Sequence, residues 1–322
     1  MDNLTHGLLG ASIAAWRRGD RRTQQATLWA CVLAAELPDL DLLLPAENPA
    51  LHALSAHRGL SHALVFAPVW AGIATAVGKA LFREVRALPL FGFTLLTVLL
   101  AHLAADAWTG WGTRLLLPFS DQRVTWDWML VVDPVFSVPL ILGAAVALVR
   151  RRWWRPALIT GLLVATAYLG ARVGTRAVLL ERVRDRYPAA EQVAVFPGWL
   201  GIVRWRYVAV APEQFAVGEL GLGRELVEQA AVSRSHALSA EWAAVPTVAQ
   251  ALAWARFPAI SAERRADGGA TVRVADLRYH LGGAPTLQFV IQLSPGLQVE
   301  EARLDRGGTA RELMSRWSAL GR

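Results

Sequence analysis

Residues 89–106 read PLFGFTLLTVLLAHLAAD, an apolar run interrupted only near its end by His102 and Asp106. At about 1.5 Å per residue, such a helix approaches the length that crosses a bilayer. A histidine and an aspartate four apart share one helix face. There the two side chains can hold one ion, or the carboxylate can orient the imidazole from behind. Ionisable groups in a membrane segment are expensive to keep, so the pair reads as functional. The bland reading is a hydrogen bond tying two helices together.

Comparable runs lie on both sides. Residues 62–82, 132–149 and 156–173 are each near the ~20 residues that a spanning helix needs. Residues 4–16 and 26–44 give two shorter N-terminal apolar helices. The second carries Glu36, Asp39 and Asp41, and Pro38 is expected to kink or end it. From about residue 177 the texture changes to β-like stretches, QVAVF (192–196), GIVRWRYVAVA (201–211) and QFAVGEL (214–220), punctuated by Pro197-Gly198 and Pro212. A helix over 240–256, strands near 271–277 and 286–294 and a last helix near 309–319 follow. The expected fold is mainly α, a polytopic membrane helical bundle over residues 1–176 with four spanning helices and the two shorter ones. A small extramembrane α+β domain over 177–322 completes it.

Composition agrees with a membrane protein. Only 18% of residues are charged, against about 25% in an ordinary soluble domain. The net charge of +7 is concentrated in residues 1–176, which hold 16 Lys/Arg against 11 Asp/Glu. Eleven of those 16 sit in three clusters, Arg17 to Arg22, Lys79 to Arg86 and Arg150 to Arg155. Basic clusters flanking apolar runs are topology signals rather than a phosphate-binding face, so no nucleic-acid partner is expected. They alternate with the histidine-bearing ends. The positive-inside rule therefore puts the basic loops in the cytoplasm, and the histidines and the C-terminal domain on the outer side. Cys31 is alone, which excludes a disulfide framework and a cysteine zinc site.

His57-Arg58-Gly59-Leu60-Ser61-His62 is the second constellation. Residues five apart on a regular helix point about 140° away from each other. A turn at Arg58-Gly59, with Ser61 capping a helix that opens at His62, would bring the imidazoles together. Imidazoles beside carboxylates suit a zinc- or manganese-like ion. Asp2 and His6, four apart, add a further pair. Asp133-Pro134 reads equally as a helix N-cap or as support behind the site. Ser61 lacks a Gly-x-Ser-x-Gly setting, and no glycine-rich phosphate loop is present.

Five blocks, Met1-Asp2-x-x-Thr5-His6, Leu37-Pro38-Asp39-x-Asp41, His57-Arg58-Gly59-x-Ser61-His62, His102-x-x-x-Asp106-x-x-Thr109 and Gly112-Thr113…Leu117-Pro118-Phe119-Ser120…Asp133-Pro134, resemble the YdjM family. Arg256-Phe257-Pro258 and Asp276-Leu277-Arg278-Tyr279 are similar to an extension found in many of its members. The resemblance implies a multi-pass protein of the bacterial inner membrane and a membrane-bound metal-dependent hydrolase. More distantly, the His/Asp pattern is similar to that of zinc-dependent phospholipase C and P1-type nucleases, which implies phosphodiester or lipid-ester hydrolysis. With few histidines available, one or two divalent ions are expected, zinc first and manganese second.

The expected ligands are His6, Asp39, His57, His62, His102 and Asp106. Asp41 or Asp2 would be the base or a supporting group, and Arg58 would orient the substrate, a lipid or lipid-linked ester or phosphoester in the bilayer. Two rival readings stand beside this one. A non-catalytic regulatory or scaffold protein could keep the ion for structure. An ion or proton relay would instead spread ionisable groups through the membrane depth, whereas here they crowd toward one end.

Overall fold

A computed structural model describes residues 1–43, 57–198, 203–234 and 238–305 of the chain. Two compact units divide between Gly174 and Thr175.

The N-terminal unit is helical. Helix α1 (Asn3–Ala14) opens at Asp2, whose carboxylate accepts from Thr5 N at 3.0 Å. Asp20 caps α2 (Arg21–Glu36) in the same way. The buried positions of α2 are Ala26, Thr27, Ala30, Cys31, Ala34 and Ala35, a stripe of small side chains at helical spacing. Helix α3 (Ala67–Leu81) buries Ala67, Ala71, Ala74, Thr75 and Gly78. Small residues let helix backbones approach closely, which is how helices associate where lipid replaces water. The exposed face of α3 presents Val69, Ile73 and Val77, an apolar surface fit for acyl chains.

Helix α4 runs Ala87–Ala107, with Val98–Ala104 wound as a π-helix. Helices α5 (Pro134–Val149) and α6 (Trp154–Arg186) follow. They meet backbone to backbone: a Cβ on Gly143 would lie 2.7 Å from Ala157 O, and one on Gly161 would lie 2.6 Å from Pro139 O. Only glycine permits that crossing.

Among the described residues, three stretches are long and apolar enough to cross a bilayer, Leu64–Leu81, Ala87–Ala107 and Arg151–Arg186. The expected fourth span, 132–149, is a helix of 16 residues, because Asp133 caps it at Pro134 and Arg150 leaves the helical conformation. That falls short of the ~20 residues a span needs. Helices α1 and α2, of 12 and 16 residues, also fall short of that length. The last span instead runs well past its expected end at 173. Leu179 and Val183, one turn apart, continue the helical pattern and pack on Val195, Trp205 and Tyr207 of the second unit.

The second unit is built of antiparallel sheets. One has the order β1-β2-β3-β4, from Gln192–Pro197, Trp205–Val210, Gln214–Gly221 and Arg224–Ser233. Another has the order β10-β9-β6-β5, from Val299–Asp305, Gln288–Leu293, Ala270–Asp276 and Pro258–Arg264. A two-stranded piece pairs β7 (His280–Leu281) with β8 (Ala284–Pro285). The helix expected over 240–256 is two pieces, α7 (Ala240–Ala243) and α8 (Pro246–Trp254), because Pro246 starts a new helix at its first position. The helix expected near 309–319 lies outside the described residues.

Candidate metal centre

The centre draws its side chains from both ends of the expected motifs. Asp39 and Asp41 sit on a 3₁₀ segment, Leu37–Leu43, that continues directly from α2. Pro38 cannot donate a backbone hydrogen bond, so the α-helix tightens there rather than continuing. His62 ends a single 3₁₀ turn, Leu60–His62, before α3. His102 lies within the π stretch of α4 and Asp106 just beyond it. π turns inside α-helices are frequent at functional sites.

Four donors converge. His62 Nε2 lies 3.0 Å from His102 Nε2, 3.1 Å from Asp39 Oδ1 and 3.4 Å from Asp106 Oδ2. His102 Nε2 lies 3.5 Å from Asp39 Oδ1 and 3.9 Å from Asp106 Oδ2. All four side chains are buried, and one ligand atom from each lies within 4.8 Å of the others. Tetrahedral donors at zinc bond lengths of about 2.0–2.2 Å stand about 3.3–3.6 Å apart, so the residues fit one such ion with small adjustments.

The surrounding bonds orient these donors. His102 Nδ1 is 2.6 Å from Ala35 O, and His6 Nδ1 is 2.6 Å from Ala101 O. A carbonyl only accepts, so each Nδ1 carries the proton and each Nε2 turns a lone pair inward. Two buried atoms, His6 Nε2 and Asp106 Oδ2, make no hydrogen bond among the described residues. Buried lone pairs without a donor are what a cation would satisfy.

A second, more open group shares His62. His57 Nδ1 is 2.9 Å from Asp41 Oδ1, and Ser61 Oγ donates to Asp41 Oδ2 at 2.5 Å while lying 2.8 Å from His62 Nδ1. Asp41, His57 and His62 also bring one ligand atom each within 4.8 Å. Burial pushes the Asp39 and Asp41 carboxyls up, but their imidazole partners outweigh it. A hydrogen bond with His62 holds Asp39 well below the carboxylate range, and bonds from His57 and Ser61 lower Asp41. Both therefore stay ionised as ligands or acceptors.

The remaining expected residues fall as follows. His6 stacks on His102 with ring centroids 4.2 Å apart, and its Nε2 is 3.4 Å from Asp106 Oδ1. It borders the four-donor group without joining it. Asp2 spends its carboxylate on the α1 cap, with Oδ2 accepting from Thr5 Oγ1 at 2.7 Å, and it joins neither group. Arg58 does not face open space: its Nη2 pairs with Asp106 Oδ1 at 2.8 Å and its Nη1 donates to Thr109 Oγ1 at 3.0 Å. The backbone amino group of Met1 also contacts Asp106 Oδ1.

In the Arg58-Gly59 turn it is Arg58 that takes the left-handed conformation, at φ 59. Ser61 does not cap a helix, because Asp41 and His62 hold its hydroxyl. Asp133 caps α5 by accepting from Phe136 N at 3.3 Å. Asn3 was not among the expected residues, yet its Nδ2 donates to Asp39 Oδ2 at 3.1 Å. Its place three residues before His6 was the one available signal.

The uncharacterized protein YfhP of Bacillus subtilis (strain 168) is 26% identical over 152 residues, 45% of this chain and 46% of YfhP. Inner membrane protein YbcI of Escherichia coli (strain K12) is 34% identical over 116 residues, 34% of this chain and 64% of YbcI. The chain thus spans between about half and just under two thirds of these relatives. No solved structure matches it, and the distant likeness to zinc phospholipases and P1-type nucleases gains no support. Residues 1–178 match the family described as YdjM inner membrane protein. That is more than half of the sequence, and it contains every residue of the centre: the chain belongs to the YdjM family of inner membrane proteins.

Proposed function

We propose that the protein is a membrane-bound metal-dependent hydrolase acting on an ester or phosphoester bond of a lipid or lipid-linked substrate. The observation that carries this reading is the convergence of His62, His102, Asp39 and Asp106 with a second, half-open group at their edge. A divalent ion held by the four would lower the pKa of a bound water toward about 7 and polarise a carbonyl or phosphoryl oxygen. His57, 14% exposed and oriented by Asp41, is positioned to take a proton and return it to a leaving group. Arg58 works from behind, holding Asp106 in place rather than meeting substrate. The positive-inside rule favours the periplasmic side for this centre.

A specific feature favours a second reading. His62, His102 and Asp106 have side chains at 0% exposure, and the four protein donors would by themselves fill the coordination of a tetrahedral ion. Closed four-ligand sites are the structural kind, whereas catalytic sites keep a position open. In that case the ion would hold α2, α4 and the His57–His62 turn together without chemistry.

Elemental analysis of detergent-purified protein, paired with release of product from a phospholipid ester panel, separates the two. Hydrolysis predicts bound metal and turnover that both vanish in His62→Ala plus His102→Ala, with His57→Ala losing turnover but keeping metal. Metal without turnover on any ester supports the structural reading. A metal content that the double variant leaves unchanged overturns both.

A further inference from the structure

A cavity of about 660 Å³ opens at the other end of the N-terminal unit, lined by α1, α2, α5 and α6. Its walls are built in two tiers. At the mouth stand Arg21, at the start of α2, and Arg151 and Arg152, between α5 and α6. Deeper stand Leu28, Ala144 and Leu158. Arg21, Gln24, Gln25 and Leu28 follow i, i+3, i+4, i+7 spacing, so α2 turns one continuous face into the cavity, polar first and apolar later. Seven residues of helix put Leu28 about 10 Å below Arg21.

The charge at the mouth is uncompensated. Among the described residues, Arg21, Arg151 and Arg152 form no ion pair. The carboxylate next in sequence, Asp20, is engaged in capping, accepting from Thr23 N at 2.8 Å. A cluster of cations at helix ends above an apolar slot between membrane helices matches one chemistry, a phosphate headgroup with hydrocarbon beneath it. Inorganic phosphate would leave most of this volume unfilled, and a zwitterionic lipid would bring its own cation to three arginines.

We infer that this cavity is a binding site for an anionic phospholipid of the adjoining leaflet, with its phosphate at Arg21, Arg151 and Arg152 and an acyl chain along Leu28, Ala144 and Leu158. The site lies at the opposite end of α2 from Asp39, so it is distinct from the metal centre and does not rest on it. Such a lipid would bridge α2 to the α5–α6 pair.

The test uses the full chain in neutral detergent, titrated with phosphatidylglycerol, phosphatidylcholine or inorganic phosphate. Thermal unfolding and native mass spectrometry of retained lipid are the readouts. Phosphatidylglycerol is expected to raise Tm and remain bound, while the other two do neither. Replacing Arg21, Arg151 and Arg152 together by Gln should weaken phosphatidylglycerol binding by at least about tenfold, and replacing all three by Lys should keep most of it. Should the Gln variant fold poorly, Ala144→Phe fills the apolar tier with the arginines intact and should also lose the lipid. Equal stabilisation by phosphatidylcholine, equal stabilisation by inorganic phosphate, or full binding by the Gln or Phe variant would each overturn the proposal. Metal content per chain should stay unchanged in every variant, so failure here is distinguishable from failure of the hydrolase reading.

Discussion

Arg58 Nη2 lies 2.8 Å from Asp106 Oδ1, and the two side chains are 4% and 0% exposed. This pair divides the carboxylate of Asp106 between two duties. Oδ1 answers Arg58, while Oδ2 makes no hydrogen bond and faces His62 Nε2 at 3.4 Å. A buried carboxylate tolerates desolvation only when charge or hydrogen bonds compensate it. Arg58, with the Met1 amino group on the same oxygen, is therefore what allows Asp106 to keep Oδ2 for the centre.

Arg58→Met should accordingly destabilise the protein strongly, by about 3–5 kcal/mol, the range for stripping one partner from a buried ion pair. Arg58→Lys should lie between, since lysine restores charge but not the second bond to Thr109 Oγ1. Thermal unfolding in detergent checks the order. Equal melting of the methionine variant and the parent would refute the supporting role.

Ser61→Ala offers a gentler probe. Its hydroxyl joins Asp41 Oδ2 at 2.5 Å to His62 Nδ1 at 2.8 Å. Groups that orient a metal-binding histidine from behind are typically worth 10–100-fold in affinity. Chelator competition on the loaded protein should show a loss of that order, with Tm of the metal-free protein nearly unchanged. An unchanged affinity would mean that His62 is held by packing alone.

Much of the centre was legible because ligand chemistry is local. His57–His62 and His102–Asp106 announce themselves as ionisable groups in apolar surroundings, and Asp39 follows Pro38 at a helix end. What sequence could not show was the division of labour. Whether Arg58 meets substrate or Asp106, and whether Asp2 caps or ligates, depends on which elements arrive beside them. The sheets split similarly. Strands β2 and β3 carry apolar runs because strands flank them on both sides, and β1, an edge strand, does so because Val195 packs with Leu179 and Val183 of α6. Strands β4, β5 and β10, unforeseen, lie at sheet edges and read RELVEQAAVS, PAISAER and VEEARLD, with mostly exposed or half-exposed side chains. Edge strands need polar and charged residues to discourage further pairing, so they lack the alternation that marks a half-buried strand.

Acid sensitivity should arise in the second unit at His280. Burial, with the Arg206 guanidinium beside it, pushes this imidazole from 6.5 down to about 3. The folded protein thus keeps His280 neutral where the unfolded chain would protonate it. Its contribution to stability is complete above pH ~6.5 and declines as pH falls toward ~3, at about 1.4 kcal/mol per pH unit. Urea unfolding of the full chain at pH 7.5 and pH 5 should show roughly 2 kcal/mol less stability at the lower pH. His280→Asn should flatten that dependence, and a slope identical to the parent's would assign it elsewhere.

Arg278 supplies the last test, because its setting discriminates charge from shape. Its Nη2 is 2.7 Å from Asp276 Oδ2, with side chains 3% and 0% exposed. Its Cζ sits 4.9 Å from the Trp254 ring centroid and 5.4 Å from that of Tyr279, and the two ring planes are within 3° of each other. The guanidinium lies beside this stacked pair, where its planar fork can pack against both rings while bonding a carboxylate edge-on, and an ammonium cannot. Arg278→Lys should therefore lower stability by about 1–3 kcal/mol although the charge is conserved. Asp276→Asn should cost more, about 3–5 kcal/mol, because it strands a buried cation. Near-ultraviolet circular dichroism should register the loosened tryptophan in the lysine variant. If Arg278→Lys melts and absorbs like the parent, the stack contributes nothing and the ion pair alone holds this corner of the unit.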